Sequence, residues 1–183
     1  MKRAALLTVA MLCVASLVFA QGGTIGAFSD MGGTDCYITD GVAGLLPIYI
    51  VHVNTPGATA SQFYAPTPAC MVGATFLSDS PSFPVAIGGS QTGIAIAYGA
   101  CLSAPIHVLT IQYFAAGLTS PCCYFDVLPD PAVPSGQIEV VDCVETIVFA
   151  TGQSGLINTD GTCECGVPTQ DTTWGKMKSL YSE

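Results

Sequence analysis

Apolar and polar positions alternate along this chain, most clearly in Gly93 to Phe114, GIAIAYGACLSAPIHVLTIQYF. Two runs are joined there through Gly99, Ser103 and Pro105. In the first run Ile94, Ile96 and Tyr98 fall on one face, and Ala95, Ala97 and Gly99 on the other. In the second, Leu109, Ile111 and Tyr113 alternate with Val108, Thr110 and Gln112. A period of two is that of a half-buried strand. The unequal faces of the first run predict a strand deep in a sheet, with something close over its small side. The two runs read as a central hairpin, with Cys101 at the join where a disulfide would pin it.

Shorter runs of the same kind flank this pair. Strands are predicted at Thr24 to Ser29, Ile48 to Asn54, Ala58 to Tyr64 with Phe63 inward, Val72 to Leu77, Val85 to Ile87, Tyr124 to Leu128, Gln137 to Asp142 and Val144 to Ala150. Glycine, proline, serine and aspartate punctuate them. Ser78 to Pro84 reads as a polar loop, and Gly152 to Gly166 as a glycine-rich segment tied down by cysteines. Eight or nine short strands between turn signals predict an all-β fold, an antiparallel β-sandwich, over residues 24–166. Residues 167–183 differ. Trp174, Met177 and Tyr181 recur at i, i+3 and i+7, with Asp171 or Thr172 placed to cap a short amphipathic helix. A helix this short is marginal in water, so it is expected to be ordered only when docked. It packs on its own domain, frays, or serves as an attachment or sorting segment.

Residues 1–20 read as a signal peptide: Lys2 and Arg3, an apolar stretch, then Val18 and Ala20 before a mature start at Gln21. The apolar stretch is short for a spanning helix, so no stable membrane insertion is expected after cleavage. Eight cysteines remain: Cys36, Cys70, Cys101, Cys122, Cys123, Cys143, Cys163 and Cys165. An even count in an exported chain implies up to four disulfides, of 105 possible pairings. Cys101 with Cys122 or Cys123 is the preferred pair, and Cys122 and Cys123 are expected to take different partners. The absence of a Cys-x-x-Cys pair argues against zinc.

Charge narrows the functions. No lysine or arginine occurs between Arg3 and Lys176, and the mature chain sets thirteen acids against two lysines, a formal charge of −11. Nucleic-acid binding depends on basic contacts to phosphate, and nucleotide cofactors need cations at their phosphates. Neither is expected here, and no cofactor is assigned. Catalytic machinery is equally sparse. His52 and His107 sit in strand-like runs, no Gly-x-Ser-x-Gly occurs, and Glu139 and Asp142 fall on opposite faces of one strand. For calcium the candidates are Asn158 and Asp160 before Gly161, but Leu156 and Val167 stand where the loop needs its first and last ligands. For sugars the candidate platform is Tyr64 and Tyr124, with Tyr37 also near a loop.

Ile48 to Phe63, then Gly93 to Ala97 (GIAIA) and Val108 to Tyr113 (VLTIQY), resemble the strand order and motifs of bacterial cohesin-type and related immunoglobulin-like sandwiches. The resemblance implies an immunoglobulin-like or cohesin-like sandwich without catalysis. The chain departs from that pattern in its dense cysteines and shorter loops. The ending TTWGKMKSLY resembles carboxy-terminal endings of secreted proteins from environmental bacteria, which implies export and surface attachment. The expected function is a non-enzymatic structural or adhesion-like module, extracellular, at the cell surface or periplasmic, with a protein partner or self-association. The alternative is a carbohydrate-binding or calcium-assisted binding module. A hydrolase with unpaired acids comes third.

Overall fold

The computed structural model describes residues 22–165. The signal-peptide reading of residues 1–20 and the helix reading around Trp174, Met177 and Tyr181 lie outside the described residues. Twelve strands carry the fold: β1 (Thr24–Phe28), β2 (Tyr37–Ile38), β3 (Gly44–Val53), β4 (Ala58–Phe63), β5 (Thr75–Pro81), β6 (Val85–Gly89), β7 (Gly93–Leu102), β8 (Ile106–Ala115), β9 (Cys123–Phe125), β10 (Ile138–Asp142), β11 (Ile147–Gln153) and β12 (Gly155–Ile157). Nine of them form one ladder, β5-β8-β3-β1-β11-β10-β4-β7-β6, and β2-β12-β9 form a small second sheet.

The ladder folds over on itself at β11. Residues Ile147 to Ala150 pair antiparallel with β10, and Thr151 to Gln153 pair parallel with β1. One strand therefore serves both layers of a β-sandwich. One layer is β5-β8-β3-β1 and the other is β6-β7-β4-β10. Their inner faces meet in an aliphatic core that includes Ile48, Ile50, Ile94, Ile96, Leu109 and Ile111, all nearly inaccessible. The strands are mostly antiparallel, and the sandwich is all-β as expected; the parallel pairs β1 with β11 and β2 with β12 are additions. Among the described residues no helix is long and apolar enough to cross a membrane.

The central pair is not a hairpin. β7 bonds to β4 and β6, whereas β8 bonds to β3 and β5, so the Ser103-Ala104-Pro105 connection carries the chain from one layer to the other. β7 does turn Ile94, Ile96 and Tyr98 into the core. Nothing among the described residues covers its small side, contrary to expectation. Another difference is β5, which occupies most of the predicted polar loop. It is an edge strand, largely exposed, so it carries no alternation to detect. β12 lies in the glycine-rich stretch, where Gly155 is needed because a Cβ there would meet Ala27 backbone and Ile38.

The eight cysteines among the described residues are all paired: Cys36 with Cys165, Cys70 with Cys123, Cys101 with Cys143, and Cys122 with Cys163. Cys122 and Cys123 take different partners. The preferred Cys101 pairing is corrected. Ala58 of β4 stands between Leu102 of β7 and Asp142 of β10, so the next residues, Cys101 and Cys143, meet across β4 above Gly57. Four disulfides fit an oxidising compartment outside the cytoplasm.

Replacing Cys101 and Cys143 together with alanine is expected to cost about 2–4 kcal/mol in urea unfolding. A Cβ on Gly57 would sit 2.6 Å from Cys143 Sγ and 3.3 Å from Cys101 Sγ. Gly57→Ala should therefore destabilise the oxidised protein and lose most of that effect in the double-alanine background; simple additivity would contradict the contact.

Candidate functional site

His52 and His107 are the histidines available as bases. His52 on β3 is fully buried. Its Nε2 lies 2.5 Å from the Gly22 carbonyl oxygen, so Nε2–H donates there and Nδ1 accepts from the Tyr98 hydroxyl at 3.3 Å. The Tyr98 contact ties β3 to the other layer, and the Gly22 contact holds the entry to β1 beside β3. Burial holds its imidazole below the ordinary value of 6.5, outweighing the Gly22 carbonyl that acts the other way. Burial likewise raises the Tyr98 phenol.

His107 on β8 is more open. Its Nδ1 is 3.0 Å from Ser82 Oγ, a serine–histidine contact that sequence reasoning missed because 25 residues separate the two. Its Nε2 faces Thr110 Oγ1 at 2.9 Å. A nucleophilic triad needs a carboxylate on that second nitrogen to fix the tautomer and stabilise the imidazolium. A threonine hydroxyl supplies neither charge nor a single tautomer. Burial again lowers the imidazole.

The acids do not converge on a cleft. Asp142 accepts from the Val144 and Thr146 backbone N–H groups and closes the β10–β11 turn. Glu139 lies on the outer face of β10, opposite Gln62. Asp40 is buried, accepting from Gly117 N–H and Thr119 Oγ1. The calcium candidates are likewise used locally. Asn158 Oδ1 accepts from Asp40 N–H, and its Nδ2 donates to the Asp40 and Thr119 carbonyls. Asp160 accepts from Thr162 N–H and Oγ1 in its own turn. Cys122, Asp160 and Cys163 lie together, but the two sulfurs are bonded to each other and offer no thiolate to a metal.

Of the tyrosines, Tyr124 is matched with Tyr37 rather than Tyr64. Both stand in register with Leu156 of β12, on one face of the small sheet and two strands apart, about 9.6 Å at about 4.8 Å per strand. Tyr64 is set by a backbone bridge to Leu128. The Tyr124 hydroxyl donates to the Glu164 carbonyl at 3.3 Å, so the segment held by Cys163 and Cys165 passes beside this row.

The least expected feature is the outer face of the β6-β7-β4-β10-β11 layer. Two rows cross it in register. One is Val85, Ala97, Ala60, Val141 and Ile147; the other is Ile87, Ala95, Gln62, Glu139 and Phe149. Bulky residues stand at both sides: Ile87 is 74% exposed, Ile147 58% and Val85 56%. Between them three alanines form a low floor. The result is a trough of about 270 Å³, mostly apolar, with Gln62 and Glu139 as its polar side chains on the two rows. Gln62 donates to Asp130 at 2.8 Å, which fixes one end. Outer sheet faces are ordinarily polar, and an exposed contiguous apolar patch marks an interaction site. The opposite layer is mixed: Ser78, Gln112, Ser80 and Thr110 stand on its outer rows beside Pro47 and Tyr49, and Phe114 and Leu45 form an exposed apolar pair at one end. Alternation in β7 foretold the alanines, but the row across five strands joins residues 60 to 149 and has no local signal.

No protein-family model matches the chain, and no curated protein sequence does. Among solved structures, the sixth cohesin of scaffoldin B from Acetivibrio cellulolyticus, in complex with a mutant Cel5 dockerin, is similar at 12% identity and a TM-score of 0.45, over 76% of this chain and 99% of that one.

Two measurements check this site. A buried histidine held below its ordinary value takes up its proton more readily when unfolded, so stability is full above about pH 6.5 and falls as pH drops below it. The urea midpoint should decline from pH 7 to 5, and His52→Gln should flatten most of that slope, leaving the part due to His107. A flat wild-type profile would show that His52 is not buried neutral. Separately, a fluorophosphonate probe should leave Ser82 unlabelled; labelling lost in Ser82→Ala would establish a working serine nucleophile.

Proposed function

We infer that this chain is an exported, non-enzymatic β-sandwich module that binds another protein segment at the bacterial surface or in the extracellular space. The observation that carries this reading is the apolar trough floored by Ala60, Ala95 and Ala97. A protein held by four disulfides has no structural need to set eight apolar residues in two rows on an outer face, one row wholly apolar and the other broken by Gln62 and Glu139, and a contiguous apolar patch there marks an interaction site. The second support is chemical: every buried histidine and aspartate nitrogen or oxygen described above serves the fold, and none is aimed at a cleft. Export rests on the leader reading of residues 1–20 and on the four disulfides, which suit an oxidising compartment. Self-association is a variant. β6 is a short edge strand without a charged residue, so it lacks the usual guard against pairing with another chain.

Panning a displayed library of amphipathic helices tests the reading. The bait is the mature chain carrying Trp174→Ser and Met177→Ser, so that its own apolar segment cannot compete. Enriched helices should bind it and lose at least about tenfold in affinity, about 1.4 kcal/mol, when Ala97→Arg is added. No enrichment, or binding indifferent to Ala97→Arg, contradicts a docking trough. A glycan-binding reading finds support in Tyr37 and Tyr124, both exposed on either side of the buried Leu156. It predicts hits on a glycan array that vanish in Tyr37→Ala with Tyr124→Ala; an array without hits rejects it.

A further inference from the structure

We propose that the trough is filled in the same molecule by the chain's own segment from Asp171 to Tyr181. The proposal rests on the reading of the trough as a docking surface and names its resident occupant.

Size supports it. Val85 and Ile87 on β6 are four strand spacings from Ile147 and Phe149 on β11, about 19 Å between backbones. The low part lies over β7 and β4, where Val85 and Val141 stand three strand spacings apart, about 14 Å between backbones, so one apolar face of an α-helix of about 10–12 Å diameter can rest on Ala60, Ala95 and Ala97 with Gln62 and Glu139 beside it. The concavity matters too. Two copies meeting face to face would oppose two low floors, and a face about 19 Å wide and some 13 Å long falls far short of the about 800 Å² per partner that a stable interface buries.

Chemistry supports it. DTTWGKMKSLY places Trp174, Met177 and Tyr181 on one helical face, the stripe that helix-in-groove recognition requires. Lys176 and Lys178 are the sole basic residues beyond Arg3, and Glu139 is the one charged residue in the trough's rows.

Reach supports it. The described chain ends at Cys165, bonded to Cys36. Cys36 and Gln153 border the same hollow, and from Gln153 back to Ile147 β11 runs six steps, about 20 Å at about 3.3 Å per residue. Residues 166–173, fully extended, span about 26–29 Å. A tether of that length holds the segment at a millimolar effective concentration, enough to favour its own trough over that of a neighbour.

Trp174 is the single tryptophan of the chain, so its fluorescence in the full mature protein reports directly. Docking predicts blue-shifted emission and several-fold slower acrylamide quenching than for a free tryptophan peptide, both independent of protein concentration. Ala95→Arg with Ala97→Arg, on the outer face and away from the core, should shift emission to the red and restore fast quenching while the circular dichroism spectrum stays unchanged. Free-peptide emission in the wild type, or emission unmoved by the two arginines, overturns the proposal. Emission that turns blue only as dimers form overturns docking within one molecule. These outcomes are separable from the docking-surface reading: helices enriched in panning alongside a solvent-exposed Trp174 would remove the occupant and leave the surface.

Discussion

A β-strand has two faces, and the physical constraint on which this molecule depends is that β7 makes them unequal. Ile94, Ile96 and Tyr98 enter the core, where each large apolar side chain contributes about 1.5–3 kcal/mol by leaving water. The intervening Ala95 and Ala97 point outward and leave a low floor. Had these outer positions been long and polar, the core would be the same and the trough would not exist. Tyr98 also ties β7 to β3 through His52, so the strand that shapes the outer face is the one pinned across the sandwich.

The rest of the stability follows from what the chain lacks. None of the described residues is a lysine or arginine, so carboxylates are held by backbone N–H groups, hydroxyls and amides instead of by ion pairs. Asp30 illustrates the substitution, taking three backbone N–H donors from Gly32, Thr34 and Asp35. Disulfides supply the long-range constraint. Cys101–Cys143 clamps one layer across β4, whereas Cys122–Cys163 and Cys36–Cys165 hold the last described segment beside the small sheet. A scaffold built this way is rigid and acidic, with its histidines occupied structurally.

Much of the fold was legible because alternation is a local property. β1, β4, β7 and β10 follow the apolar pattern within a residue or two, and Phe63 is inward as its run implied. Pairing is not local. The strong faces of β7 and β8 say which side is buried but not that their burial is against each other from opposite layers, hence the false hairpin. The Cys101 partner failed for the same reason, since it depends on β10 arriving beside β4 from some 80 residues later. β5 was hidden by Ser78, Asp79 and Ser80, which an edge strand tolerates on both faces. The trough was legible only in part: its alanines were visible as a small side, and its rims came from β6 and β11, where the runs containing Val85, Ile87, Ile147 and Phe149 read as strands with no sign that these residues face outward together.

Methyl NMR of the full mature chain with a water-soluble paramagnetic agent tests most directly whether the trough is occupied within the molecule. Ala100, exposed further along β7, serves as an internal reference. Relaxation at the Ala60, Ala95 and Ala97 methyls well below that at Ala100, beyond what their partial burial among residues 22–165 provides, is the result expected of an occupied trough. Relaxation at those methyls equal to that at Ala100 would mean an open face and contradict occupation of the trough by the chain's own segment.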